Sequence, residues 1–252
     1  MITLIAGPSQ YSKCDAKEVQ MQKLAEMVSL PADVETSSER FERIYRTLRD
    51  RICLLVYRPG TVLSEGALAE EFGLSRTPIK RVFNKLEFMG LVQIKNGVGT
   101  IVTDIDLYTF KETYDLRKRL AEMMGDLSPI EITPQHMATI DDIIARTKKL
   151  ETDRGNFDAL AIIANELQRL LSDLTGNAPL RETIELLYYR VARIWYTFLP
   201  QFSWEEVFSG QLNELLKIRA AMTANDIRGV GHARSIDLQR MLTLIGRSLL
   251  GP

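Results

Sequence analysis

Between Ser75 and Lys95 five basic residues, Arg76, Lys80, Arg81, Lys85 and Lys95, stand against a single acid, Glu87. With Ser75, Thr77 and Asn84 among them, this segment gathers long donors of one charge sign beside small hydroxyls. The chemistry open to such a set is the reading of nucleic acid: cations neutralise phosphates, and a guanidinium fork matches the O6/N7 edge of guanine. No nucleophile elbow, phosphate loop or zinc spacing is present, and the chain has only two histidines, His136 and His232. Acid-base or metal-assisted catalysis is therefore not expected, and the chain reads as a non-enzyme.

One helix must present these donors. Ser75 or Thr77 can cap its start, Pro78 fits its first turn, and Ile79, Val82, Phe83 and Leu86 recur at i, i+3, i+4 and i+7, which turns an apolar stripe inward. Arg76, Thr77, Lys80, Arg81, Asn84 and Lys85 are left facing solvent. Ser64 to Phe72 reads as a preceding short helix with Leu68, Ala69 and Phe72 inward, and Gly73-Leu74 as the tight connection of a helix-turn-helix. Gly90 ends the reading helix; Leu91 to Lys95 and Val98 to Thr103 read as strands joined by a two-residue turn, Asn96-Gly97, making a wing. Upstream, Phe41, Ile44, Tyr45, Leu48 and Ile52 predict a roofing helix over Ser38 to Leu55, broken at Arg58-Pro59-Gly60.

Arg58-Pro59-Gly60, Leu63-Ser64-Glu65, Leu68-Ala69 and Ser75-Arg76-Thr77-Pro78, in that order and spacing, resemble the winged-helix domain of the GntR family of bacterial regulators. The resemblance implies that Arg76 reaches a guanine edge in the major groove, that Ser75 and Thr77 contact phosphate, that Lys80 supports both, and that the wing tip Asn96-Gly97 approaches the minor groove. The family usually has Arg at the position of Lys80 and Glu-Ala at Arg81-Val82, so a phosphate contact replaces a bidentate one at that step. The expected DNA-binding set is Ser75, Arg76, Thr77, Lys80, Arg81, Asn84, Asn96 and Gly97.

Charge separates this module from the remainder. Thr36 to Asp104 holds eleven basic and eight acidic residues, a net of +3, while the 252-residue chain carries −1. A near-neutral total argues against a bulk nucleic-acid coat protein. At ~100–200 residues per domain the length suggests about two domains. They are drawn as an extension over 1–35, a winged helix-turn-helix over 36–104 and a helical domain over 105–252. The extension shows one amphipathic segment, Ala16 to Val28, and lacks the basic start and apolar centre of a signal peptide. Two cysteines without metal spacing, Cys14 and Cys53, and no apolar run near the ~20 residues a bilayer needs, suggest a soluble, cytoplasmic protein.

From Asp106 the pattern is helical: Asp106–Asp126, Pro134–Thr152, Phe157–Leu174, Pro179–Leu199, Trp204–Ala224 and Asp226–Leu250, with Thr133-Pro134, Asn156, Ser203 and Asn225 as start signals. The fold class is mainly α, a winged helix-turn-helix followed by an antiparallel bundle. Its layout resembles the FCD ligand-binding domain of the fatty-acid-regulator branch of the GntR family. The matching pieces are Tyr114 to Leu120, Leu167-Gln168-Arg169-Leu170 with Thr175-Gly176-Asn177, and Ala221 to Asp226. That domain usually holds a divalent metal with one Asp and three His, and the corresponding positions here are Ala164, Gln168, Leu215 and Asp237. Two histidines cannot make a three-His site, so no metal and no cofactor are expected.

An effector must then be anchored by fixed side chains. The candidates are Arg117, where the family pattern places an inward Arg, with Tyr114, Gln168, Tyr189, Arg193 and Asp237 on helices that should converge, and Arg190 beside them. A buried Arg needs a partner. Either an anion such as a carboxylate metabolite supplies it, or an internal acid such as Asp173 or Asp237 does; Tyr188, Trp195, Tyr196 and Phe198 equally suit packing. The expected protein is a homodimeric regulator, a repressor in the commoner case, that binds double-stranded DNA at a palindromic operator under the control of a small molecule. The alternatives are a helical domain serving only as a dimerisation platform, and an enzyme housed in the helical bundle with the N-terminal module as a tether.

Overall fold

A computed structural model describes residues 36–104 and 106–250, so the extension over 1–35 and its amphipathic segment lie outside the described residues. Thr36 opens the first helix with a reciprocal cap: its hydroxyl accepts from the Glu39 amide at 3.2 Å, and the Glu39 carboxylate accepts from the Thr36 amide at 2.8 Å. Helix α1, Ser37–Cys53, buries Ile44, Tyr45, Leu48 and Ile52. It ends two residues before the expected Leu55, which takes a left-handed φ of 61° that no continuing helix tolerates. Strand β1, Val62–Leu63, was not visible in the sequence, because two residues are too short to show alternation.

Helix α2, Glu65–Glu71, is capped by Ser64, and helix α3, Arg76–Phe88, buries Ile79, Val82, Phe83 and Leu86. Each of these is worth about 1.5–3 kcal/mol if its burial is complete. The connection turns at Gly73, φ +64°. Strands β2, Val92–Lys95, and β3, Gly99–Val102, form the wing, and β1 joins the far edge of β3 to give the order β1-β3-β2. The register pairs Lys95 with Gly99, so the wing loop holds three residues, not two; only Gly97 takes a positive φ, whereas a two-residue type I′ turn needs one at Asn96 also.

The remaining helices are α4, Phe110–Glu122; α5, Pro134–Lys149; α6, Phe157–Asp173; α7, Ala178–Phe198; α8, Trp204–Thr223; and α9, Ile227–Leu250. Thr133, Asn156, Asn177 and Ser203 cap four of them by accepting a backbone amide. Asn225 does not start α9: it sits at φ 53° and accepts from the Ile132 amide, while Asp226 accepts from Gly229. His136 completes the cap at Thr133.

Helix α9 packs chiefly on α4 and α8. A side chain on Gly231 would collide with the Ala121 carbonyl oxygen, so glycine there lets α4 and α9 approach. Arg117 and Arg234 lie one turn from that crossing. One apolar cluster fills the bundle between α5, α6, α8 and α9. The other runs without a break from Ile44, Phe83 and Leu91 in the winged helix to Tyr189, Val191 and Leu244 in α7 and α9.

Candidate nucleic-acid interface and bundle cavity

On α3 the stripe that buries Ile79, Val82, Phe83 and Leu86 fixes what faces outward. Ser75, Arg76, Thr77, Lys80, Arg81 and Asn84 are all exposed, and Arg76 and Lys80 make no ion pair among the described residues. Ser75 holds the N-cap position without giving its side chain to the cap, so its hydroxyl stays open to another partner. Arg81 lies over the Phe41 ring at 5.4 Å, which steadies its stem. Lys85 departs from expectation: it pairs with Glu42 at 2.7 Å and sits 4.0 Å from the Tyr45 ring centroid, so it faces the roofing helix.

Glu87, the one acid in the basic stretch, accepts from the Ile94 amide at 2.7 Å and pins the wing to the end of α3. Asn96 and Gly97 are exposed at the wing tip. The arrangement is a helix with a cationic, hydrogen-bonding outer face, a wing beside it, and a rigid apolar anchor beneath, which is the geometry that places a helix in a major groove.

Helix α7 then explains why two effector candidates fail to join the others. Residues 188 and 192 face into the bundle, and residues 189 and 193 lie one position on, about 100° around a helix of ~3.6 residues per turn. They therefore meet the winged helix. The Arg49 guanidinium lies 3.8 Å from the Tyr189 ring centroid, and the Tyr189 carbonyl accepts from the Cys53 thiol at 3.6 Å. Arg193 donates to the Thr103 carbonyl and hydroxyl at 2.5 and 3.0 Å, and that hydroxyl donates to the Gly90 carbonyl at 2.8 Å. Asp50 pairs with Arg49 and, at 2.5 Å, with Arg169 of α6. Tyr189 and Arg193 are thus clamps between the two halves, not cavity residues. Burial pushes the Cys53 thiol up to about 12, so it packs as a neutral group.

Arg190 is exposed on α7 and lines neither cavity, and the other four candidates converge. Tyr114, Arg117 and Asp237 line a cavity together with Ala164, Tyr188, Glu214, Arg234 and Arg240. The space between its walls, mouth included, is about 470 Å³, of which about 30 Å³ admits the centre of a water molecule. Gln168 lines a smaller neighbouring cavity with Arg117 and Arg234, the two residues common to both.

Within the cavity Arg234 reaches Glu214 at 2.8 Å and Asp237 at 3.7 Å, and Arg240 reaches Asp237 at 2.6 Å. Burial, reinforced by the Asp237 charge, pushes Glu214 up to about 8. Burial lowers the Arg117 pKa; for Arg234 the same penalty is outweighed by Glu214 and Asp237, and its pKa rises. Arg117, only 5 % exposed, has no carboxylate partner among the described residues and rests over the Tyr114 and Tyr188 rings at 5.0 and 5.3 Å. The pairing with Asp173 or Asp237 left open by the sequence is not made.

The residues at the four metal positions do not fit a divalent ion. Ala164 offers no donor, Leu215 is fully buried in the apolar cluster, Gln168 brings an amide, and Asp237 is already held by two guanidiniums. Two buried arginines at the same place oppose a further cation. Sequence reasoning missed Glu214, Arg234 and Arg240. Arg234, Asp237 and Arg240 recur every third residue, which reads as a solvated helix face; the signal was their position between the buried Ala233, Leu238 and Met241.

Comparison with known proteins speaks to the family and the fold. Residues 40–102 match the family model of bacterial regulatory proteins, gntR family. The HTH-type transcriptional repressor RspR of Escherichia coli (strain K12) is 26% identical over 200 residues, covering 79% of this chain and 86% of that protein. The structure of E. coli McbR/YncC superposes with a TM-score of 0.69 at 18% identity, covering 83% of this chain and 98% of that one. A GntR protein from Rhodococcus sp. RHA1 superposes with a TM-score of 0.60 at 17% identity, over 82% and 98%. At these identities the two structures speak to the fold.

Proposed function

Because the chain belongs to the GntR family of bacterial regulatory proteins, and is a DNA-binding helix-turn-helix transcriptional regulator rather than an enzyme, we propose that it acts as a homodimeric repressor. Two copies of α3 enter successive major grooves of a palindromic operator, with the wings alongside. The observation that carries this reading is the exposed Arg76 and Lys80, without an ion pair among the described residues, on a helix whose opposite face is locked in the core. Arg76 reads guanine, Ser75, Thr77, Lys80 and Arg81 engage phosphate, Asn84 flanks them, and Asn96-Gly97 reaches the minor groove. Repression is supported by the similarity to RspR, a transcriptional repressor.

The helical half, read as an FCD-type domain, pairs the subunits and holds a small-molecule effector in the cavity of Tyr114, Arg117 and Asp237. No metal takes part. Among the described residues no helix is long and apolar enough to cross a membrane, in keeping with a cytoplasmic site of action on DNA. A gel shift on the DNA flanking the protein's own gene tests the DNA-reading claim. The parent chain retards a fragment that Arg76→Ala does not; equal retardation by both refutes the role given to α3.

The small free space in the cavity favours a second reading, in which the bundle only pairs subunits. Thermal-shift screening separates the two: stabilisation by one class of organic acid supports sensing, and silence across a broad panel supports a platform.

A further inference from the structure

Helix α2 holds a glycine that neither its backbone nor its packing requires. Gly66, the second residue of Glu65–Glu71, is not among the glycines with positive φ, and glycine in helical backbone is less stable than alanine. At Gly125, Gly210 and Gly231 an added Cβ would collide with Arg228, Arg240 and Ala121 of facing helices, so glycine there serves the packing. At Gly66 nothing collides. A Cβ would sit 3.5 Å from Arg76 Nη2 and 3.8 Å from Arg76 Cζ and Nε, and these are its three nearest atoms outside the backbone of α2. The space that the glycine leaves open is bounded by one guanidinium, the one on the DNA-reading face.

Arg76 begins α3, where the Cα–Cβ bond tilts toward the helix N-terminus and no earlier turn lies beneath the side chain. Arg81 leans on the Phe41 ring and Lys85 on Glu42. Arg76 has neither an acid nor a ring beside it among the described residues, and reaches back to the first turn of α2 instead. That turn is held fast: the Ser64 hydroxyl caps it by accepting from the Ala67 amide at 3.2 Å, and Leu68 and Ala69 are buried. We propose that Gly66 is a specificity-determining residue of the DNA-reading surface, its bare turn being the seat from which the Arg76 fork meets a guanine edge. Gly66 acts through Arg76, as a positioning residue, and the inference rests on the reading of Arg76 as the guanine contact. A β-branched side chain on that turn fills the seat and displaces the fork. Affinity for DNA at large then persists, while the preference for one sequence falls.

The test measures, for the full chain at fixed salt, the ratio of affinities for the DNA flanking its own gene and for an unrelated duplex of equal length, in a double-mutant cycle of Gly66→Val and Arg76→Ala. Gly66→Val is expected to lower the ratio about fivefold or more, within the range a bidentate base contact supplies. It leaves affinity for the unrelated duplex within about twofold of the parent, and lowers the ratio no further once Arg76 is alanine. Gly66→Ala, whose Cβ fits at contact distance, keeps the ratio within about twofold of the parent. Both variants melt no lower than the parent, because alanine and valine are better helix formers than glycine. A ratio that Arg76→Ala lowers and Gly66→Val does not, or that Gly66→Val lowers equally with and without Arg76, overturns the proposal and leaves the role of Arg76 standing. A ratio that Arg76→Ala leaves unchanged defeats the reading of Arg76 and the proposal with it. A Gly66→Val chain that melts well below the parent, or does not fold, assigns the glycine to the fold and overturns the proposal as well.

Discussion

On α3, Arg76 and Lys80 are exposed and make no ion pair among the described residues, while in the bundle Arg117 and Arg234 are enclosed by helices α4, α6, α7, α8 and α9. The same side chain obeys opposite rules in the two places. An exposed guanidinium keeps its hydration, so it contributes little to folding and is free to meet an outside anion, at a strength that salt controls. An enclosed one loses its hydration; Arg234 is compensated by Glu214 and Asp237, so its removal is felt by the fold, whereas Arg117 rests only over the Tyr114 and Tyr188 rings. The DNA-reading cations are thus expected to be separable from stability, and the ion-paired Arg234 is not. Helix α7 joins the regions, with Tyr188 on the cavity and Tyr189 and Arg193 on the winged helix.

The sharpest way to break this contrast is Arg234→Ala. It strands Glu214 in a buried site and leaves Asp237 with Arg240 alone, and should cost about 3–5 kcal/mol, read from the midpoint of urea unfolding; a loss as small as that of an exposed arginine would erase the distinction. Next is the pH dependence set by Glu214. Its folded pKa, about 8, lies above the ordinary value of 4.5, so the folded chain binds the extra proton between those limits. This contribution is fully present below pH 4.5 and is lost as pH rises through about 8. Glu214→Gln should therefore be more stable than the parent above pH 8, with the difference shrinking toward pH 5; parallel melting curves across that range would contradict it.

Smaller effects belong to the outer face. Arg76→Ala should weaken operator binding by about 1–3 kcal/mol and relax specificity at one base pair, with no change in melting temperature. Lys80→Ala should weaken all duplexes alike and reduce the slope of log affinity against log salt by about one. Unequal weakening of different sequences by Lys80→Ala would assign that residue to a base edge.

The legibility of the two regions differs for the same physical reason. The winged helix is built from short elements whose caps, turn glycine and apolar stripe are local signals, so Leu68, Ile79, Phe83 and Gly73 revealed it, and its outer face follows by subtraction. Local signals do not report partners from elsewhere in the chain. Glu42 claimed Lys85, β3 recruited Val62 and Leu63 as an edge strand, and the wing loop closed around three residues because the strand register governed it. In the bundle the helices themselves were plain from periodicity and caps. Which stripe of α7 faces which neighbour depends on a rotation of one residue, and that placed Tyr189 and Arg193 at the clamp. The buried charge cluster escaped notice because an Arg, Asp and Arg at spacings of three look solvated until α4 and α8 cover them.

The most direct measurement is the ratio of affinities for the operator and for an unrelated duplex of equal length, by fluorescence anisotropy at fixed salt, for the parent chain and for Arg76→Ala. If α3 reads bases through its cationic face, the substitution lowers that ratio about tenfold or more, in line with ~1–3 kcal/mol for a bidentate base contact, while affinity for the unrelated duplex falls far less. A ratio unchanged by the substitution would contradict the assignment of α3 as the reading helix.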